Sequence, residues 1–366
     1  MTMTDPKTAL QPVDRVEAGT RLKWLRDMML IREFELRTMQ AYQEAKIGGF
    51  CHVYIGQEAC AVGCIAAASP DDPVITAYRD HGHALARGME PRYAMAEMFG
   101  RIGGCAKGKG GSMHLFDQRT HFYGGHAIVG GQTPLGVGLA FATRYENEVL
   151  KQGAKRVTLC FLGDGALNQG ALHEAMNLAS VLELPCLFIV ENNRYSMGTA
   201  IERGTSVAHD LSTKAAAYGM PFHQADGMDV GAVYNVMKRV IDRARAEQAP
   251  AFVEIKTYRY KGHSMSDPQK YRSKDEVSEY EANDPIRRLA EAMIASCDLA
   301  EAAFKAMSQS VRDEVRDAIA WAEKSPEPDP ATDLYSDVVH EPFGPYGPTT
   351  PPQMCDHEPG ALPEDE

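Results

Sequence analysis

A chain of 366 residues with 44% apolar content can bury a substantial core, as one large domain or two small ones. A formal net charge of −12 argues against a sequence-independent nucleic-acid binder, which needs basic surface, and no apolar run reaches the length of a membrane span. The eight cysteines contain no CxxC pair, so they follow neither a disulfide nor a zinc framework, and reduced thiols fit a cytosolic setting.

Residues 1–18 read as a poorly ordered arm. The arm carries Asp5, Asp14 and Glu17, and has neither a signal-peptide apolar core nor the Arg-rich, acid-poor character of a transit sequence. That predicts a bacterial cytoplasmic protein, or a mitochondrial matrix protein only if a transit peptide has been removed. The next stretch, 22–46, reads as a long amphipathic helix with Trp24, Leu25, Met28, Met29, Ile31 and Phe34 on its apolar side. A helix rich in Ala and Gly follows at 58–68, where Cys60 and Cys64 read as small buried hydrophobes. Residues 100–133 are dense in glycine and without periodicity, which predicts a long functional loop. Within it, Gly103 to Gly110 spells GxxxxGKG, one residue from a nucleotide-binding P-loop. Gly110 stands where Ser or Thr would be needed, and no strand precedes Gly103, so that reading is rejected. A helix over 132–145 contains Gly136 and Gly138, which permit close approach to a neighbour.

The most informative segment comes next. Val157 to Leu162 is a continuous apolar run ending in Gly163-Asp164-Gly165, and Leu187 to Val190 is another ending in Asn192-Asn193. Between them Leu172, Ala175, Met176, Ala179 and Leu182 recur at helical spacing. This is a βαβ unit, so both polar tips should emerge at the carboxyl edge of one parallel sheet. A carboxylate and an amide oxygen above a glycine turn suit a hard divalent cation holding a diphosphate. A Rossmann dinucleotide site, with Glu191 as its ribose-binding acid, is the competitor. It puts Asn168 where the third glycine should pack, and it sets a bare Asp164 carboxylate against a pyrophosphate. Beyond this unit, a helix over 230–247 leads into a strand at 251–258 that delivers residues 259–263 to the same edge. A helical portion covers 284–324, and the tail 340–366 is rich in proline and acid and reads as flexible.

GDG, 26 residues, then a pair of asparagines resembles the signature of thiamine-diphosphate enzymes. The segments His52-Val53-Tyr54-Ile55-Gly56-Gln57-Glu58-Ala59, Ala77-Tyr78-Arg79, Gly104 to His114 and Thr257 to Pro268 are similar to the pyruvate dehydrogenase E1 α subunits of the thiamine-diphosphate-dependent 2-oxo acid dehydrogenase family. The resemblance runs from about residue 20 to about residue 338. It implies an α/β fold, the pyrophosphate-binding half of a thiamine-diphosphate fold, with a parallel sheet flanked by helices over 19–339. It implies thiamine diphosphate and Mg²⁺ as cofactors, with Asp164 and Asn193 holding the cation by side chain and Tyr195 by its carbonyl. Gly165 and Ala166 would let backbone approach the phosphates, while Tyr78 and Arg79 clamp them from another segment. Val129 matches a position that meets the aminopyrimidine ring. Ala127 departs from the family, which has glycine there, and a methyl group resists positive φ.

His263 is the expected acid–base residue and His52 the expected hydrogen-bond partner of the 2-oxo acid. His81 and His83 read as structural. Ser264 and Ser266 lie where mammalian relatives are phosphorylated; here Ser264 reads as a solvated loop serine, and Lys270 replaces a further phosphosite. No segment resembles the half of a thiamine enzyme that sets a carboxylate on the aminopyrimidine N1′. In the two-chain family that glutamate comes from the E1 β subunit. The expected assembly is therefore an α₂β₂ heterotetramer with its site at the α/β interface, passing an acetyl group from pyruvate to the lipoyl domain of an E2 acyltransferase. The other readings are an E1 α subunit acting on acetoin or branched-chain 2-oxo acids, a cofactor-binding subunit without catalysis, and an NAD-binding dehydrogenase.

Overall fold

The apolar runs ending in Gly163 and Asn192 sit side by side at the centre of a six-stranded parallel sheet in the computed structural model, which describes residues 16–334 together with 336 and 337. The strands in chain order are β1 (Val74–Ala77), β2 (Phe122–His126), β3 (Thr158–Gly163), β4 (Cys186–Asn192), β5 (Tyr195–Ser196), β6 (Thr199–Ala200), β7 (Phe222–Asp226) and β8 (Ala251–Lys256). The sheet order is β2-β1-β3-β4-β8-β7, and β5 with β6 forms a separate antiparallel hairpin. The longer helices are α1 (Ala18–Gln43), α2 (Glu58–Ala67), α3 (His81–Arg87), α4 (Pro91–Met98), α5 (Gln132–Glu148) and α6 (Gly170–Val181). The short α7 (Ile201–Gly204) and α8 (Ser212–Ala216) precede α9 (Val230–Glu247), α10 (Lys274–Glu281), α11 (Pro285–Ala295) and α12 (Glu301–Lys324).

Strands β3 and β4 are apolar because both their faces are covered. Leu159, Phe161, Leu187 and Ile189 point into one core with α1, α2 and α9, while Cys160, Leu162, Phe188 and Val190 point into the other with α5 and α6. Asp229 caps α9 through the N–H groups of Gly231 and Ala232, and Asp284 caps α11 ahead of Pro285. Gly136 of α5 lies so close to β3 that a Cβ there would sit 3.0 Å from Cys160, whereas Gly138 has open space around it. The long loop expected over 100–133 is interrupted: Phe122 to His126 joins the sheet edge as β2, a strand whose two glycines hide its β character. From Glu327 on, the chain forms a separate unit containing α13 (Pro330–Asp333), capped by Asp329. Residues 1–15 of the N-terminal arm and the whole tail 340–366 lie outside the described residues. No helix among the described residues is long and apolar enough to cross a membrane.

The topology predicts where a ligand goes. From β1 the chain crosses to β2 on one side and returns to β3 on the other, so the carboxyl ends of β1 and β3 flank a switch point, where the connections diverge and leave a crevice.

Candidate functional site

A cavity of about 690 Å³ opens at that carboxyl edge. β1 delivers Tyr78 and Arg79 to it; β3 delivers Asp164, Gly165 and Ala166; β4 delivers Asn193 and, beyond it, Tyr195. Ala127 and Val129 line it from the end of β2, and His52 and His263 from the loops after α1 and β8. Every residue singled out as a candidate in the sequence therefore lies around one space.

Asp164 is buried, and its Oδ2 has no hydrogen-bond partner. Burial pushes its carboxyl up to about 6, with Arg259 pulling the other way. Asn193 Oδ1 accepts the N–H of Tyr195 at 3.2 Å, and its Nδ2 donates to Gln57 Oε1 at 3.1 Å. The Tyr195 carbonyl accepts a long 3.4 Å bond from Arg259. Gly165 is obligatory for a local reason: a Cβ there would meet Ser196 Oγ at 2.4 Å, so only glycine lets the turn after β3 close against the hairpin. Ala127 does not hold a positive φ, so its methyl group introduces no backbone strain; the positive φ falls on Gly130 instead.

Two guanidinium groups dominate the charge. Arg79 donates to the carbonyls of Val53 at 2.7 Å and His263 at 2.6 Å; Arg259 donates to the Tyr271 hydroxyl at 2.9 Å and to the carbonyls of Lys261 and Met197. Both are buried, and neither is paired with a carboxylate among the described residues. Burial and the neighbouring Arg259 pull Arg79 down to about 10. Buried unpaired cations are costly, so this cavity is built for an anion. Beside them, His52 and His263 stand edge to face with ring centres 5.1 Å apart, and each has a buried Nδ1 without a partner. Burial and the Arg79 charge lower His263 to about 4 and His52 to about 2, so both rings are neutral near pH 7. The loop carrying His263 is pinned, because Asp267 accepts both the His263 N–H and the Tyr271 hydroxyl.

Of the HxH pair, His81 is fully buried, bonding Glu35 at 3.0 Å and the Ser112 carbonyl at 2.9 Å. His83 lines the cavity and contacts Glu191 at 3.2 Å. No cluster of three metal-ligating His, Cys, Asp or Glu side chains occurs among the described residues. The P-loop look-alike has its own anion: the fully buried Glu97 carboxylate accepts the N–H groups of Ala106, Gly108, Gly110 and Gly111 at 2.6–3.2 Å. Arg259 and Gln57 also line the cavity without a role in the sequence reading, and Glu191, there only the ribose-binding acid of the competing Rossmann site, lines it too. Of the first two, Arg259 carries a signal, as a cation directly after a tyrosine-ended strand bound for the same sheet edge.

The sequence model for the dehydrogenase E1 component matches residues 26–331. The chain is 47% identical to the pyruvate dehydrogenase E1 component subunit alpha of Rhizobium meliloti over 343 residues, covering 91% of this chain and 96% of that protein. It is 47% identical to the protein of the same name from Rickettsia prowazekii, covering 87% and 95%, and 42% identical to the chloroplastic subunit alpha-3 of rice, covering 91% and 78%. With the cavity, its paired arginines and the GDG turn in place, the chain belongs to the dehydrogenase E1 component family, whose members depend on thiamine diphosphate.

Proposed function

We propose that this chain is the α subunit of a pyruvate dehydrogenase E1, active with a β subunit in oxidative decarboxylation of pyruvate and acetyl transfer to the lipoyl group of an E2 acyltransferase. The observation that carries the site assignment is the pair of buried, carboxylate-free guanidinium groups of Arg79 and Arg259 lining the same cavity as Asp164 with its orphaned oxygen. An anion alone would satisfy the arginines and leave Asp164 repelled; an anion carrying a divalent cation satisfies all three. A magnesium diphosphate group fits that donor set. Asp164, Asn193 and the Tyr195 carbonyl would hold Mg²⁺, and Arg79, Tyr78 and the backbone at Gly165 and Ala166 would hold the diphosphate. Thiamine diphosphate, when bound, supplies the electron sink that decarboxylation of a 2-oxo acid requires.

The chain's own residues then divide the work. The arginines neutralise phosphate charge, and Val129 and Ala127 give the ring end an apolar wall. His52, neutral and packed 4.7 Å from Tyr78, offers a hydrogen bond to the 2-oxo acid. His263, neutral and lining the same cavity, would move a proton at the reacting oxygen. The β partner is supported by the relatives' description as subunits and by an apolar outer surface on α5 and α6, and it would supply the carboxylate facing the aminopyrimidine. A cytoplasmic location fits this reading.

Decarboxylation with an artificial electron acceptor, measured on the α/β complex with pyruvate, 2-oxobutyrate, branched-chain 2-oxo acids and acetoin, tests the substrate. A strong preference for pyruvate is expected; a preference for acetoin or a branched acid overturns the pyruvate assignment.

A further inference from the structure

One turn grips the carboxyl end of β4 at two points, Glu191 within the strand and Asn193 just past it. Residues 54–57 close a tight turn in which the Gln57 N–H donates to the Tyr54 carbonyl at 3.1 Å, with Gly56 at φ +100°. From one end of the turn, the Tyr54 hydroxyl donates to Glu191 Oε1, the same oxygen that His83 Nε2 meets at 3.2 Å. From the other end, Gln57 Oε1 accepts from Asn193 Nδ2 at 3.1 Å. All of these groups are buried.

The orientation of the Asn193 amide follows independently. The Tyr195 N–H can only donate, so the atom 3.2 Å away must be the Asn193 oxygen, and the amide NH₂ must face Gln57. Gln57 holds the NH₂ end of the amide from the opposite side, so the Tyr195 N–H and Gln57 together lock the Asn193 side chain in this orientation. Tyr54 and His83 fix the backbone beneath it, because the Asn193 N–H donates to the carbonyl of Glu191 at 3.1 Å.

We propose that Gln57, Tyr54, His83 and Glu191 form a positioning clamp that presents the Asn193 oxygen to the cation, so that cation affinity is set from residues that never touch the cation. The inference rests on the magnesium reading of the site. Groups that orient a ligand without touching the metal typically govern affinity by on the order of 10- to 100-fold.

The test uses Mn²⁺ as the probe, titrated by electron paramagnetic resonance into the α/β complex with thiamine diphosphate. Gln57→Leu, which removes the acceptor, weakens Mn²⁺ binding on the order of 10- to 100-fold. Gln57→Glu keeps an oxygen toward Asn193 and binds Mn²⁺ at least as tightly as wild type. Tyr54→Phe, which keeps the ring and removes only the hydroxyl, falls between them and serves if Gln57→Leu fails to fold. Saturating Mn²⁺ restores kcat in each weakened variant, a rescue that general misfolding would not allow. Wild-type affinity in both Gln57→Leu and Tyr54→Phe, alongside lost affinity in Asn193→Ala, overturns the clamp alone. Wild-type affinity in Asn193→Ala overturns the magnesium reading and the clamp with it.

Discussion

The two faces of the sheet are finished differently. On one, α2 and α9 lie on the strands and α1, α11 and α12 close over them, so Trp24, Leu25, Met28, Phe34, Val233 and Met237 are all buried. On the other, α5 and α6 form a single layer whose inner side packs on Cys160, Leu162 and Phe188. Its outer side leaves Leu135, Phe141, Tyr145, Leu178 and Val181 roughly half exposed or more. On α5 the exposed positions recur every three or four residues around Gly138, where a Cβ would touch nothing in this chain. A helix apolar on both sides is a helix meant to be covered twice. One face is a core completed within the chain, and the other is an apolar layer that this chain leaves uncovered, the surface proposed above for the β subunit. The exposed Ile128 and Val129 at the cavity mouth place that unfinished surface next to the site.

Charging the unfinished face should have the largest effect, and only on assembly. Leu135→Asp combined with Phe141→Asp is expected to weaken α₂β₂ formation by roughly 1000-fold, since apolar anchors of this kind are worth about 2 kcal/mol or more each. Sedimentation of the mixed subunits reads the loss, while the unfolding midpoint of the isolated chain stays nearly constant. The same charge on the finished face, as Leu25→Asp, should instead unfold the chain. Equal damage from both substitutions would erase the distinction.

Glu97→Gln comes next. It replaces a fully buried anion held by four backbone N–H groups with an amide whose own NH₂ faces those donors. A loss of roughly 3 kcal/mol in urea unfolding is expected, with faster hydrogen exchange confined to residues 103–115. Unchanged exchange there would show that the glycine-rich segment is held by something else.

The smallest effect is one of pH. Burial alone would disfavour a charged His81, but the Glu35 carboxylate and Asp80 outweigh it and raise the imidazole to about 9. A histidine raised above its unfolded value of about 6.5 stabilises the fold fully below that pH. The contribution then fades as pH climbs and is gone above about 9. Urea midpoints measured from pH 6 to 10 should fall across this window in the wild type and lose this component in Glu35→Gln. His263 and His52 have the opposite sign: with folded values below the unfolded one, they cost stability as pH falls below about 6.5.

The finished face was also the easier one to read. The α9 stripe repeats with helical period and carries its Asp229 cap, so its span matches the sequence reading. Each central strand is an unbroken apolar run because helices cover both sides, which made the βαβ unit and the GDG turn visible. β1 is four residues long and β2 has two glycines in its five residues, too little signal for either period or propensity. Tyr54 with Glu191 and Gln57 with Asn193 are pairings between residues 137 and 136 positions apart, fixed by packing alone. No local pattern announces them. On the outer side of α5 the sequence offers Gly138 as a point of close approach to a neighbour, but periodicity does not say whether an apolar stripe faces this chain or another.

Turnover by the rigorously purified chain, with and without its β subunit, tests the central claim most directly. With thiamine diphosphate, Mg²⁺, pyruvate and an artificial acceptor supplied, the account predicts no activity from this chain alone and full activity once β is added. Sustained turnover by this chain alone would contradict it, because the site would then be complete within one subunit and the exposed face of α5 and α6 would need another explanation.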